Sequence, residues 1–177
     1  MISNQVLEHV SDAQKFFTEI HRVLNIGGIG IHLFPLSNYI YEGHLLLPFV
    51  HKIRSHDFMC SYISLMSSLG FGKFKQHNRE TGISLNEFSE KHADYIYFFT
   101  RYLSEGEIVR IVKESGLRSS YRFSIEFYSG KLRSIIGLAP RLTYRNKGRA
   151  FFDATVVKFL RYLSVVTLVC EKRQTYS

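Results

Sequence analysis

The stretch that most limits what this chain can fold into is 29–34, Ile-Gly-Ile-His-Leu-Phe, set between Gly28 and Pro35. So apolar a run, bounded by glycine and proline, reads as a strand covered on both faces, as in a parallel sheet. What precedes it supplies a partner. Residues 1–7 read as the end of a strand and the loop that follows. Ser11 with Gln14 three residues on, and Asp12 in the first turn, mark a helix start. Phe16, Phe17, Ile20, Val23 and Leu24 then recur at helical spacing, and Gly27-Gly28 closes the helix. Strand, helix and strand within about 35 residues form a βαβ unit, which places the chain in the α/β class.

The middle of the chain has a different texture. Segments 44–54 and 57–69 read as short helices, Gly70-Phe71-Gly72 interrupts them, and Ser84 with Glu87 offers another helix start. Residues 36–100 are too many for a structureless loop in one domain, so they are expected to form a helical insertion. Beyond them, Ser104 and Glu107 spell a capping box, Ile108, Ile111 and Val112 an apolar face, and Gly116 a stop. Alternation of Tyr121, Phe123, Ile125 and Phe127 predicts a strand over 121–127. A helix over 151–163 and a β-branched strand over 164–170 complete the reading, which contains no internal repeat.

The run Ser3-Asn4-Gln5-Val6-Leu7-Glu8-His9-Val10-Ser11-Asp12, the helix ending Arg22-Val23-Leu24-Asn25-Ile26-Gly27-Gly28 and the apolar strand after it form a recognisable sequence. It resembles the second half of class I S-adenosylmethionine-dependent methyltransferases, of the methyltransferase type 11-like kind. Later elements agree in order: the Leu103-Ser104 helix opening, Glu114-Ser115-Gly116-Leu117 before the next strand, and a closing strand. The resemblance implies an α/β fold with a partial Rossmann-like methyltransferase sheet, strands four to seven, and a helical insertion after the fifth strand. Residues 1–177 would be one domain, with 36–100 inserted into it. That family holds its cofactor with a glycine-rich loop after the first strand and an acidic residue ending the second. Glycine lets backbone approach the ligand, and the carboxylate takes the ribose hydroxyls. Gly27-Gly28-Ile29-Gly30 ends a helix and precedes a strand, the reverse of that context. The expectation is therefore a C-terminal portion without the N-terminal glycine-rich half, with weak or no activity alone. Its residual fourth strand would present an edge that invites a second copy or a complementing N-terminal half.

By the same resemblance, Ser3, Asn4 and Gln5 occupy the turn that passes the methionine part of S-adenosylmethionine. Ligands of open α/β sheets lie beyond the carboxyl ends of strands, which suits that placement. His9 is the candidate catalytic residue, an imidazole able to take a proton from an attacking hydroxyl or amine; its structural alternative is to pack the loop against the helix. Tyr39, Tyr41 and His44 follow the fifth strand, where the family varies its substrate-binding insertions, and are the candidates for the acceptor pocket. The acceptor is a small molecule or glycan of unknown identity. His44, His51, His56 and Asp57 lack the spacing of a helical metal motif, so no metal is expected.

Composition narrows the alternatives. With 45% hydrophobic and 21% charged residues the chain is of globular type, not disordered. Its net charge of +8 is uneven: residues 1–100 carry 8 basic and 9 acidic residues, and residues 101–177 carry 15 and 6. No carboxylate falls between Glu126 and Asp153, where Lys131, Arg133, Arg141, Arg145, Lys147 and Arg149 all lie. A basic segment over 127–152 suits an anionic surface or nucleic acid, although no nucleic-acid motif accompanies it. A non-catalytic, partner-binding subunit is the other alternative to an enzyme. Cys60 and Cys170 cannot build a disulfide framework, which fits a reducing, cytoplasmic setting. The apolar runs at 45–50 and 163–170 fall short of the roughly 20 residues a membrane span needs, and no secretory signal is seen.

Overall fold

The structure, a computed structural model, describes residues 1–139 and 150–173, with the side chains of 150–154 outside the description. Arg141, Arg145, Lys147 and Arg149 of the basic segment therefore lie outside the described residues. Two units make up the chain: Met1–Leu36 with Leu103–Ser177, and Ser37–Tyr102.

The first unit is built on four strands, β1 (Ile2–Asn4), β2 (Ile29–Phe34), β3 (Leu117–Ser120) and β4 (Val166–Lys172), in the order β1-β2-β4-β3. β1 runs parallel to β2 with Ser3 opposite His32; β4 is antiparallel to both its neighbours, with Leu168 opposite His32. Around the sheet stand α1 (Ala13–Val23), α5 (Glu105–Glu114), α6 (Ser124–Ile135) and α7 (Ala150–Leu160). This is the expected mixed α/β fold, a partial Rossmann-like sheet.

Helix α1 starts one residue later than expected. Asp12, not Ser11, is the N-cap, and its carboxylate accepts from the Lys15 amide at 2.9 Å. Asp caps as well as Ser and adds a negative charge at the positive end of the helix dipole. Gln14 instead donates to Ser115 Oγ at 2.9 Å, tying α1 to the end of α5. Phe17 and Ile20 are buried while Val23 is exposed, so the apolar face is narrower than the sequence period alone suggests. Phe16 and Phe17 meet the His32 ring edge-on, which puts His32 and Leu168 on the α1 side of the sheet. Side chains alternate along a strand, so Thr167 faces the other way, where it bonds Ser124 of α6 at 3.0 Å.

Two expectations for the strands are corrected. In β2 only Gly30, His32 and Phe34 are buried, and Ile29, Ile31 and Leu33 are half-exposed. The strand covered on both faces is β4, buried from Val166 through Cys170: Leu168 shares the α1 side with His32, and Thr167 on the other side meets Ser124 of α6. Residues 121–127 are not a strand. The strand is Leu117–Ser120, entered through Gly116 at φ 77, and α6 begins at Ser124. Ser124 and Tyr128, one helical turn apart, are the buried residues of α6, and Tyr128 Oη donates to the Val165 carbonyl at 3.0 Å. That four-residue period prevails over the alternation of aromatics, since it buries both polar groups with partners.

The second unit is helical. A 3₁₀ turn at Val50–Lys52 leads to α2 (His56–Ser68), α3 (Phe74–Thr81) and α4 (Leu85–Phe99). The helix expected over 44–54 is reduced to that single turn. Leu45, Leu47, Val50, Met59, Ile63, Phe88, Ala93 and Ile96 form its core. The predicted starts at Ser84 and, in the first unit, Ser104 are both present, the latter as a complete capping box with Glu107. Among the described residues no helix is long and apolar enough to cross a membrane.

Candidate functional site

At the carboxyl end of β1 the backbone turns sharply. Gln5 takes a left-handed conformation, φ 52, and its amide donates to the Leu33 carbonyl at 2.7 Å, anchoring the turn to β2. A non-glycine residue in that region is uncommon and costs on the order of 1 kcal/mol. Asn4 and Gln5 are exposed there. Ser3 differs: it sits within β1, half-buried, and its hydroxyl is 2.8 Å from His32 Nδ1. The 3₁₀ turn Leu7–His9 follows, with Leu7 and Glu8 buried and His9 exposed.

The donor that the resemblance implies can be tested against these residues. Asn4 and Gln5 offer two free-facing amides at a strand's carboxyl end and fit its methionine portion. The strand-to-helix segment after β1 contains no glycine, and Gly27, at φ 78, closes α1 with its amide bonded to the Lys172 carbonyl. Among the described residues, then, nothing fits the nucleotide portion in the way a glycine-rich loop does.

The second unit carries the denser set of ionisable groups. Glu42 is fully buried, and its carboxylate receives the Leu45 amide at 2.7 Å and the Tyr102 hydroxyl at 2.9 Å, with His44 Nδ1 2.5 Å away. Burial pushes its pKa upward, but hydrogen bonds from His44 and Leu45 together with the His44 charge outweigh it, leaving the carboxyl below its ordinary value. His44 Nε2 lies 3.3 Å from Tyr95 Oη, so the imidazole bridges a buried carboxylate and a phenol. The loop around Glu42 holds two strained residues, Leu46 at φ 57 and Phe49 at φ 55, whose amides bond the Glu42 and Ile40 carbonyls. Strain of this kind persists where surrounding contacts over-determine the backbone. Glu42 supplies them.

A cavity of about 660 Å³ lies wholly within this unit, between residues 37–54 and the end of α4. His51, Lys52, Arg54, Tyr97 and Tyr102 line it, with Met59 and Ile96 as its apolar part. The His51 ring stands 4.8 Å from the Tyr102 ring, and burial holds the imidazole's pKa below its ordinary value.

The sequence candidates thus fall in separate places. Asn4, Gln5 and His9 are exposed after β1, and Ser3 is engaged by His32. Tyr39 is half-buried, its pKa raised by burial and by the Glu42 charge. Tyr41 is exposed and bridges to Pro48. His44 belongs to the Glu42 network, and none of these three is among the residues lining the cavity. His56 bonds Asp94 at 2.7 Å, joining α2 to α4. Among the described residues no group of three or more metal-type ligands converges. Glu42 was missed in the sequence, although a signal was there: it is the one carboxylate between Glu19 and Asp57.

No curated protein matches the chain. Among solved structures, a chain of the complex between the Haloferax volcanii Trm112 methyltransferase activator and the methyltransferase named with it is 16% identical, with a TM-score of 0.40. That alignment covers 99% of this chain and 54% of the other, so this chain spans about half its length. A family model described as "Methyltransferase domain" matches residues 1–31, the segment that folds as β1, the 3₁₀ turn, α1 and the entry to β2. Through that segment the chain resembles methyltransferase domains.

Proposed function

We propose that the chain works in methyl transfer from S-adenosylmethionine to a small molecule or glycan, as one domain, 1–177, with the unit 37–102 inserted for acceptor binding. The observation that supports this reading best is the match of residues 1–31 to the methyltransferase family, on a strand, turn and helix whose exposed amides stand at a strand's carboxyl end. In this reading Asn4 and Gln5 contact the donor's methionine portion, and Ser3 holds the turn through His32. The donor supplies a methyl group already activated on a sulfonium. His9 accepts the proton that the attacking hydroxyl or amine releases. Tyr39, Tyr41 and His44 belong to the acceptor side, with His44 oriented by Glu42. The two free cysteines, one of them buried, suit a reducing, cytoplasmic setting.

Calorimetric titration of the chain with S-adenosylmethionine tests the donor side. Saturable heat that Asn4→Ala and Gln5→Ala weaken supports the reading; none at millimolar donor refutes it for this chain alone. His9→Ala should then lower turnover with donor affinity unchanged. A second reading, a partner-binding subunit, draws on β1, which is paired on one side only and exposes Ile2 at 75%. Such an edge is a template for a strand from another chain. Donor heat that appears only with a complementing chain or on dimerisation would favour it.

A further inference from the structure

We infer that the cavity within residues 37–102 binds a small molecule through an anionic group, held by Lys52 and Arg54. The ligand's role as acceptor rests on the reading above; its charge rests on the cavity alone. About 660 Å³ is the size of a small-molecule site. No carboxylate lines the cavity, while three basic side chains do. Burial holds the His51 imidazole below its ordinary pKa, which favours its neutral form, and Lys52 and Arg54 carry the positive charge. Among the described residues Arg54 makes no ion pair, and the Lys52 ammonium stands over the Phe49 ring, 5.2 Å from its centroid.

The nearby carboxylates are engaged elsewhere. Glu42 takes the Leu45 amide and the Tyr102 hydroxyl and lies against His44, and Asp94 takes His56. Two cations in a cavity wall that holds no carboxylate favour a ligand oxyanion, which a guanidinium can take in a paired hydrogen bond. Met59 and Ile96 accommodate a compact apolar part, and Asn38 and Tyr97 offer hydrogen bonds to hydroxyls. The class is an anionic, hydroxyl-bearing small molecule whose head group is a phosphate or a carboxylate.

The test is a ¹H–¹⁵N NMR titration of the full chain with inorganic pyrophosphate and, separately, acetate, at constant ionic strength. Expected is a saturable displacement of amide signals in 37–54 and 96–102. Saturation by pyrophosphate alone assigns a phosphate head group, and by acetate a carboxylate. Lys52→Gln and Arg54→Gln should each weaken binding about tenfold, with Arg54→Lys recovering part of the loss. Absence of saturation with either probe overturns the inference. So does unchanged binding in the double Gln variant, or displacement spread evenly over the basic surface. Adding S-adenosylmethionine to the same sample separates the two ideas. Donor-induced shifts in 1–36 with no anion response refute the anion site and leave methyl transfer standing, and the opposite pattern does the reverse.

Discussion

His32 should make the stability of the sheet fall steeply between pH 7 and pH 5. The imidazole is fully buried, stacked edge-on against Phe16 and Phe17, with Nδ1 bonded to Ser3 and Nε2 without a partner. Burial, helped by the positive N-terminus, lowers its pKa from 6.5 to about 4. The unfolded chain therefore takes up this proton well before the folded one does. Its contribution is complete above pH 6.5, is lost as the pH falls toward 4, and is constant below that. The full difference corresponds to about 3 kcal/mol at 1.36 kcal/mol per unit, of which about 2 kcal/mol is gone by pH 5. Urea unfolding followed by circular dichroism at pH 7 and pH 5, in the native chain and in His32→Gln, isolates this group from the other histidines. The native chain should lose about 2 kcal/mol more than the variant on acidification. An equal loss in both, or a folded-state NMR titration of His32 with a midpoint near 6.5, would refute the reasoning.

Other perturbations have equally definite outcomes. Glu42→Gln removes a buried charge from three partners and should destabilise the second unit by about 3 kcal/mol in urea unfolding. Because the Glu42 carboxyl is held below its ordinary value, that contribution is present above the ordinary carboxyl range and disappears as the pH falls through the folded value. Asp12→Ala should cost about 1 kcal/mol, whereas Ser11→Ala stays within about 0.5 kcal/mol, since Asp12 makes the cap. Phe17→Ala empties a fully buried site and should cost about 3–5 kcal/mol, seen as a lowered urea midpoint with the slope retained.

Local signals carried the sequence reading where one interaction decides the outcome. Ser104 with Glu107 and Ser84 with Glu87 name their helix starts because a cap is a contact between residues three apart. The strand at 29–34 was equally plain, bounded as it is by Gly28 and Pro35. Readings failed where a partner far along the chain decides. Residues 121–127 alternate like a strand, but Ser124 needs Thr167 and Tyr128 needs the Val165 carbonyl, and only a helix delivers both. The double burial of β4 follows from α6 covering its second face, where Ser124 bonds Thr167, a contact that no short window of sequence contains. The Glu42 network was illegible for the same reason, since Tyr95 and Tyr102 reach it across more than fifty residues.

The two units also differ in what they disclose about function. The match to the methyltransferase family model ends at residue 31, inside the first unit. That unit's described residues near β1 offer amides and one exposed imidazole. Residues 37–102 hold the buried carboxylate, the strained loop, and the cavity lined by Lys52 and Arg54. A shared donor needs a recurring strand-turn-helix geometry, which leaves a recurring sequence. In the reading proposed above, the acceptor differs from one enzyme to the next, so the residues that recognise it need only fit one another. Glu42 shows what that costs in legibility: its importance lies in three contacts and a backbone it holds under strain, none of which has a spacing that could be read as a motif.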